Sequence, residues 1–387
     1  MLAEACSDSG YEARQSAAPA IREIFEKWAM KTYKHLFTRL CSFENLWQAF
    51  QQARRGKRGK GEVAAFEYHL ERNLFTLERE LRDGSYQPGD YHHFYIYEPK
   101  KRKISAAPFR DRVVHHALCN LIMPVWEARF IDNSFACRVG KGTHAALDRA
   151  QHYARRFRYV LQGDIVQFFP SIDHAALRAL LARRVADPQV LALIDLILAS
   201  GAGVLESEYT LQYFPGDDLL TPLARPRGLP IGNLTSQFWA NVYLHELDTF
   251  VTQQLRHGAY VRYADDWLLF GDDKALLAEQ HDCIQAKLID LRLVLHDRKT
   301  QRYPVATGIP FLGFRLYPTH RRLKRPNVIR FKRRMRRVFG QFAAGEIPIE
   351  QVHASVNGWV AHARHGSTYR LRGQLLRGLI VPRQAAR

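Results

Sequence analysis

The sequence predicts an α+β fold. Two stretches, 91–104 and 260–270, carry strand-forming residues on either side of a short turn and read as antiparallel strand pairs. A third pair is expected over 309–316. Runs with apolar residues at helical spacing lie before and between them, over 43–54, 62–82, 111–128 and 274–291. Local strand pairs interspersed with separate helices are the pattern of an α+β architecture.

The 387 residues are enough for two or three subdomains with a real core. Lys and Arg number 57 against 38 Asp and Glu, a formal charge of +19. A surplus of this size points to a polyanionic partner. The rival reading, a membrane surface, has no apolar run long enough to span a bilayer behind it. The first residues, MLAEACSDSG, include an acid and no apolar core, so a cytoplasmic protein without a membrane partner is expected. Five scattered cysteines with no C-x-x-C pair are expected to be reduced thiols. No zinc signature is visible: His245-Glu246 is followed by Thr249 where a second His would stand.

Along the chain, residues 1–34 read as an arm rich in Ala and Ser. Ser42 is placed to cap the helix over 43–54. The basic, glycine-punctuated stretch 54–61 reads equally as a solvated linker or a phosphate-contacting loop. A helix over 62–82 ends at the turn Asp83-Gly84. In the first strand pair Glu98-Pro99-Lys100 is the turn, and Arg102 and Lys103 fall on the returning strand. Phe135-Ala136-Cys137-Arg138-Val139-Gly140-Lys141-Gly142-Thr143-His144 is a basic turn before another helix, and its spacing does not match a Walker A loop.

The stretch 158–169 reads as a strong strand carrying one acid, Asp164, and ended by Pro170, with Ser171 or Asp173 capping the next helix. An unpaired acid in an apolar strand is costly to bury, so it either ends the strand facing water or binds something. Residues 200–227 look like an irregular insertion. The segment 227–237 then enters a helix reaching about 255, with Gly232 giving close backbone approach and Asn233 or Thr235 as cap.

Three Asp-Asp pairs follow in the chain and differ in context. Asp217-Asp218 lies in a loop, and Asp272-Asp273 opens the 274–291 helix as a cap. Only Asp265-Asp266, in Tyr260-Val261-Arg262-Tyr263-Ala264-Asp265-Asp266-Trp267, sits between two strands. Joined by Asp164 it would make a carboxylate trio, the minimum set for two-metal phosphoryl transfer. Lys299-Thr300 is expected on a strand, Gly308 in a turn, and the Arg- and Lys-dominated run 321–337 on a helix with Phe331, Met335 and Val338 inward. Arg330, Lys332, Arg333 and Arg334 of that run are candidates to face nucleic acid.

Taken in order, these residues resemble the reverse transcriptases over roughly 35–380. Asp164 with Phe168-Phe169 looks like polymerase motif A, 232–237 like motif B, and Tyr263-Ala264-Asp265-Asp266 like the Y-x-D-D of motif C. Lys299 resembles the motif D lysine, and Phe311-Leu312-Gly313-Phe314 the primer grip. Arg102 and Pro108-Phe109-Arg110-Asp111-Arg112 resemble the fingers motifs. The resemblance implies a right-hand polymerase, with fingers and an antiparallel-sheet palm over 35–318 and a basic helical thumb over 319–387. It implies RNA-directed DNA synthesis with two Mg²⁺ ions, Mn²⁺ being the alternative, held at Asp164, Ile165, Asp265 and Asp266.

By the same resemblance, Lys299 would act as general acid for pyrophosphate, and Arg102 with Lys103 would hold the dNTP triphosphate. Phe169, or alternatively Phe168, would be the steric gate against a ribose 2′-hydroxyl. Ile231, Gly232 and Gln237 would lie along the nascent base pair. The I-G-x-x-x-S-Q form of 231–237, in place of Q-G-x-x-x-S-P, is similar to the enzymes of diversity-generating retroelements. Those copy a template-repeat RNA into cDNA with errors at adenines and work with a small basic accessory variability protein. The alternatives are a defence-associated or group II-like bacterial reverse transcriptase, and a non-catalytic, maturase-like RNA-binding protein. An RNA-directed RNA polymerase usually carries Gly-Asp-Asp where Ala264-Asp265-Asp266 stands here.

Overall fold

The computed structural model describes residues 32–97 and 101–378. Most of the expected arm over 1–34 and the expected turn Glu98-Pro99-Lys100 lie outside the described residues. Among the described residues two compact units form, one from 32–97, 101–132, 164–256 and 279–296, the other from 133–163, 257–278 and 297–378.

The first unit is mainly helical. Ser42 caps the Phe43–Ala53 helix by accepting from the Asn45 N–H, as the sequence predicts. Phe50 of that helix meets Phe109, at the start of the Phe109–Glu127 helix, edge to face at 6.1 Å. The single helix expected over 62–82 is instead two, Gly61–Tyr68 and Leu70–Asp83, broken at His69. Asn73 Nδ2 donates to the Phe66 carbonyl at 2.9 Å, satisfying an oxygen at the break. Gly84 ends the second helix at φ 75°, a left-handed cap at the turn expected there.

The hairpin of this unit pairs β1 (His92–Ile96) with β2 (Arg102–Ala106), Tyr95 opposite Lys103 and Ile96 opposite Arg102. Every β1 residue is exposed. A two-stranded ribbon is marginal by itself, so its anchor matters. Ser105 N–H donates to the Ile231 carbonyl at 2.8 Å. The buried Asn233 amide accepts from Ala107 N–H at 3.0 Å and donates to the carbonyls of Ser105 at 2.9 Å and Pro230 at 3.1 Å. This corrects the expected cap: Asn233 stands at the N-cap of the Leu234–Thr249 helix but makes no capping bond, because long-range partners take its amide.

In the second unit a four-stranded antiparallel sheet runs in the order β4-β5-β3-β6, with β3 Tyr159–Gly163, β4 Tyr260–Tyr263, β5 Asp266–Gly271 and β6 Gln301–Pro304. The strand expected over 158–169 therefore stops at Gly163. Beyond it the backbone changes partner: His296 N–H donates to the Asp164 carbonyl and Val166 N–H to the Val294 carbonyl, each at 2.8 Å. Phe168–Ser171 is already helical. Gly163 sits opposite Trp267 in the sheet. A Cβ built on Gly163 would lie 2.1 Å from Trp267 Cζ2, inside the indole of a fully buried side chain.

A second sheet joins β7 (Ile309–Phe311), β8 (Phe314–Leu316) and β9 (Arg321–Leu323). Leu312 and Gly313 turn the β7–β8 hairpin with φ 43° and 88°, the paired positive values of a tight two-residue turn. β9 corrects the expectation of one charged helix from 321: Leu323 is buried, and the helix begins later, at Arg325–Ala343. Phe331, Met335 and Val338 of that helix form a small core with Val352 of the Ile349–Ala363 helix, as their spacing predicts. The helix Tyr369–Arg377 follows.

Among the described residues no helix is long and apolar enough to cross a membrane. Cys41, Cys119 and Cys137 are free thiols. Cys283 is disulfide-bonded, against the expectation of reduced cysteines throughout. Bonding depends on tertiary approach of the Cα atoms, which spacing does not reveal.

Replacing Asn233 with Ala strands three buried backbone groups and should lower unfolding free energy by about 1–3 kcal/mol. Urea denaturation measures it, and an unchanged midpoint would contradict the anchoring role.

Candidate active site

Tyr263 and Asp266 pair across the β4–β5 hairpin, which leaves Ala264 and Asp265 as its two-residue turn. Ala264 has φ 54°, a conformation of a kind that costs a non-glycine residue about 1–3 kcal/mol and is retained where neighbours over-determine it. One such neighbour is Arg262, fully buried in β4. Its guanidinium donates to the Ala264 carbonyl at 3.1 Å and to Ser134 Oγ at 2.9 Å. The strand's outer edge is taken by residues 133–135: Arg262 N–H donates to the Asn133 carbonyl at 2.9 Å, and Phe135 N–H to the Arg262 carbonyl at 3.0 Å. Reading the sequence for acids missed Arg262, although a charge inside an apolar strand is the same signal that singled out Asp164.

Asp265 and Asp266 are both half-buried. Asp266 directly precedes Trp267, and Trp267 lies opposite Gly163, the residue before Asp164. Gly163, the last residue of β3, thus lies beside the strand that begins with Asp266, and the half-buried Asp164 follows it in the chain. Ile165 is buried, so only its backbone carbonyl offers a ligand oxygen. Among the described residues no group of three His, Cys, Asp or Glu side chains converges closely enough to hold an ion unaided. The fit to Mg²⁺ is one of donor type: carboxylate and carbonyl oxygens are its ligands, and it completes its shell with water and substrate phosphates.

In the first unit the expected nucleotide-binding residues cluster around the Asn233 anchor. Gly232 has φ 121°, and a Cβ there would come within 2.9 Å of Ile104 Cγ2, so the close approach expected of it is real. Ile231 is half-buried, and Gln237 is exposed on a helix whose neighbouring residues are mostly buried. Phe168 is buried, whereas Phe169 is half-buried, with their rings edge to face at 5.5 Å. The Phe169 carbonyl accepts from Leu229 N–H at 2.9 Å, which ties it to the same strip of chain as Ile231. Arg102 is exposed, while Lys103 Nζ donates to the Val204 carbonyl at 2.9 Å.

Lys299 lies exposed in the turn before β6, not on a strand as expected, because pairing with β3 begins only at Gln301. Lys332, Arg333 and Arg334 are exposed on the Arg325–Ala343 helix, while Arg330 is half-buried against Asn327. The other Asp-Asp pairs make turns and caps. Asp217 accepts from Phe214 N–H and pairs with Arg225, and Asp218 accepts from the N–H groups of Leu220 and Thr221. Asp272 accepts from Arg158 N–H, and Asp273 accepts from Ala275 and Leu276 N–H at the start of the Lys274–Asp290 helix.

Comparison with known proteins identifies the family. A family model described as reverse transcriptase (RNA-dependent DNA polymerase) matches residues 97–316, more than half of the chain. The protein YkfC of Escherichia coli K12 is 25% identical over 283 residues, covering 63% of this chain and 71% of its own. The group II intron-encoded protein LtrA of Lactococcus lactis subsp. cremoris is 28% identical over 245 residues, covering 60% of this chain but 38% of its own. The mitochondrial nuclear intron maturase 2 of Arabidopsis thaliana is 28% identical over 144 residues, covering 33% of this chain and 20% of its own. The chain belongs to the reverse transcriptase (RNA-dependent DNA polymerase) family.

Proposed function

We propose that this chain copies an RNA template into cDNA by metal-assisted nucleotidyl transfer. The observation that carries the reading is the Tyr263-Ala264-Asp265-Asp266 turn, braced by a buried Arg262, on a sheet in which β3 ends at Gly163, the residue before Asp164. Asp164, Asp265 and Asp266, with the Ile165 carbonyl, are the residues to hold Mg²⁺. When bound, such ions lower the pKa of an attacking hydroxyl and stabilise charge on the transferring phosphate. The protein's part is positioning and electrostatics. Arg102 is exposed and free of the backbone bond that engages Lys103, which supports it as the triphosphate ligand. Burial of Phe168 leaves Phe169 as the ring for the 2′-hydroxyl gate. Lys299 is assigned to protonate the leaving pyrophosphate, and Lys332, Arg333 and Arg334, with Arg330, to meet the template–product duplex. Template RNA, cDNA and dNTPs are the partners this implies.

Primer extension on an RNA template, with dNTPs compared with NTPs, tests the reading. Extension with dNTPs alone is expected. Asp265→Asn should lower the rate by about 10²-fold or more, the scale of losing a group that stabilises transition-state charge. Undiminished synthesis by that variant would overturn the site.

We further propose membership of the diversity-generating subclass, supported by the Ile231 and Gln237 form of the motif that opens the Leu234–Thr249 helix. An apolar Ile231 withholds a polar contact from the base pair, a physical route to low fidelity, and a small basic accessory protein would be the further partner. A group II-like role is the second reading, favoured by the names of the intron-encoded and maturase relatives. Ile231→Gln should reduce errors opposite template adenine in sequenced cDNA. An unchanged error spectrum would sink the fidelity argument.

A further inference from the structure

The basic turn over 135–144 lies against the β4–β5 hairpin. Residues 133–135 pair with β4, and Gly142 N–H returns to the Phe135 carbonyl at 3.0 Å, so the turn closes on itself beside the hairpin. It delivers two adjacent side chains at the start of the Thr143–Arg156 helix. Thr143 Oγ1 shares a hydrogen bond of 3.1 Å with the hydroxyl of Tyr263, the hairpin residue opposite Asp266. His144 stacks on His365, ring centroids 3.3 Å apart and planes within 11°.

His365 lies in the turn after the Ile349–Ala363 helix, and that turn is pinned to the second sheet. Ser367 N–H donates to the Arg321 carbonyl at 2.8 Å, and Gly366 is packed so closely that a Cβ would lie 2.9 Å from Phe314 Cε1. His362 completes the cluster, its ring 5.8 Å from His144 and 5.0 Å from Phe314. These contacts all lie within one compact unit.

We propose that Thr143 and His144 are positioning residues that couple the helical segment beyond 349 to the catalytic hairpin, His144 holding the segment's turn and Thr143 holding Tyr263. The inference rests on the polymerase reading and adds to it the means by which a segment packed against the Arg325–Ala343 helix would report to the acids. Within this pair of contacts, a shift of His365 moves the helix start that orients Tyr263.

Burial first, then the His365 and His362 rings and Arg321 of β9, hold His144 below its ordinary value of 6.5, with Asp148 opposing. Burial and then His365 lower His362 as well. Because the folded values are depressed, the contact is complete above the ordinary histidine pKa and weakens as pH falls below it.

The experiment measures primer–template dissociation and the single-nucleotide addition rate for the full chain from about pH 8 to about pH 6, a window spanning the histidine range. His144→Ala should speed dissociation by about three- to tenfold, the factor that loss of an aromatic pair allows. His144→Phe, which keeps a ring but cannot titrate, should dissociate as slowly as the parent at high pH and lose the parent's acceleration at low pH. Thr143→Val should slow addition without changing dissociation, with Thr143→Ser restoring it. An active parent whose His144→Ala form dissociates unchanged, or whose His144→Phe form keeps the parent's pH profile, would overturn the coupling alone. A parent inactive with dNTPs would remove the polymerase reading and the coupling with it.

Discussion

The contact between Gly163 and Trp267 is the constraint on which the site depends. Trp267 is one of the largest fully buried side chains, and its indole occupies the space that any Cβ at 163 would fill. The residue at each end of that contact is bonded to an acid: Asp164 follows Gly163, and Asp266 precedes Trp267. Interiors are close-packed and transmit displacement instead of absorbing it. A side chain at 163 would push β3 and β5 apart, one residue along the chain from Asp164 on one strand and from Asp266 on the other.

The hairpin tip is fixed by a second, polar constraint. A short antiparallel turn with a non-glycine residue at positive φ stores strain, and the buried Arg262 holds its carbonyl in place. Asn233 does comparable work in the other unit, using one amide to bind three backbone groups and seat β2 beside Gly232. Both residues spend a buried polar group on geometry. This is how rigid elements hold reactive groups still enough for a reaction governed by position and charge.

Much of this was legible in the sequence because the signal was local. Asp164 stood out as a charge in an apolar run, and Asp265-Asp266 as the one acidic pair between strands. The caps at Ser42 and Asp273 and the turn at Asp83-Gly84 followed from side-chain and backbone preferences within a few residues. What stayed hidden depends on partners far along the chain. Gly163 is an ordinary strand residue until Trp267 is placed against it, and Asn233 looks like a helix cap until β2 claims its amide. Phe168 and Phe169 are chemically identical, and only burial separates them. β9 was masked by its own arginines: Arg321 and Arg322 read as part of a charged helix, and only the burial of Leu323 against the sheet shows a strand. Lys299 was placed on a strand because β6 follows two residues later and no local signal marks the boundary.

A double-mutant cycle on single-nucleotide addition tests the central constraint most directly, with Gly163→Ala, Trp267→Leu and the combined variant. If the glycine exists to seat the indole, shortening residue 267 relieves the clash, and the combined variant should add nucleotides faster than Gly163→Ala alone. Losses that multiply, as they do for independent sites, would contradict the account.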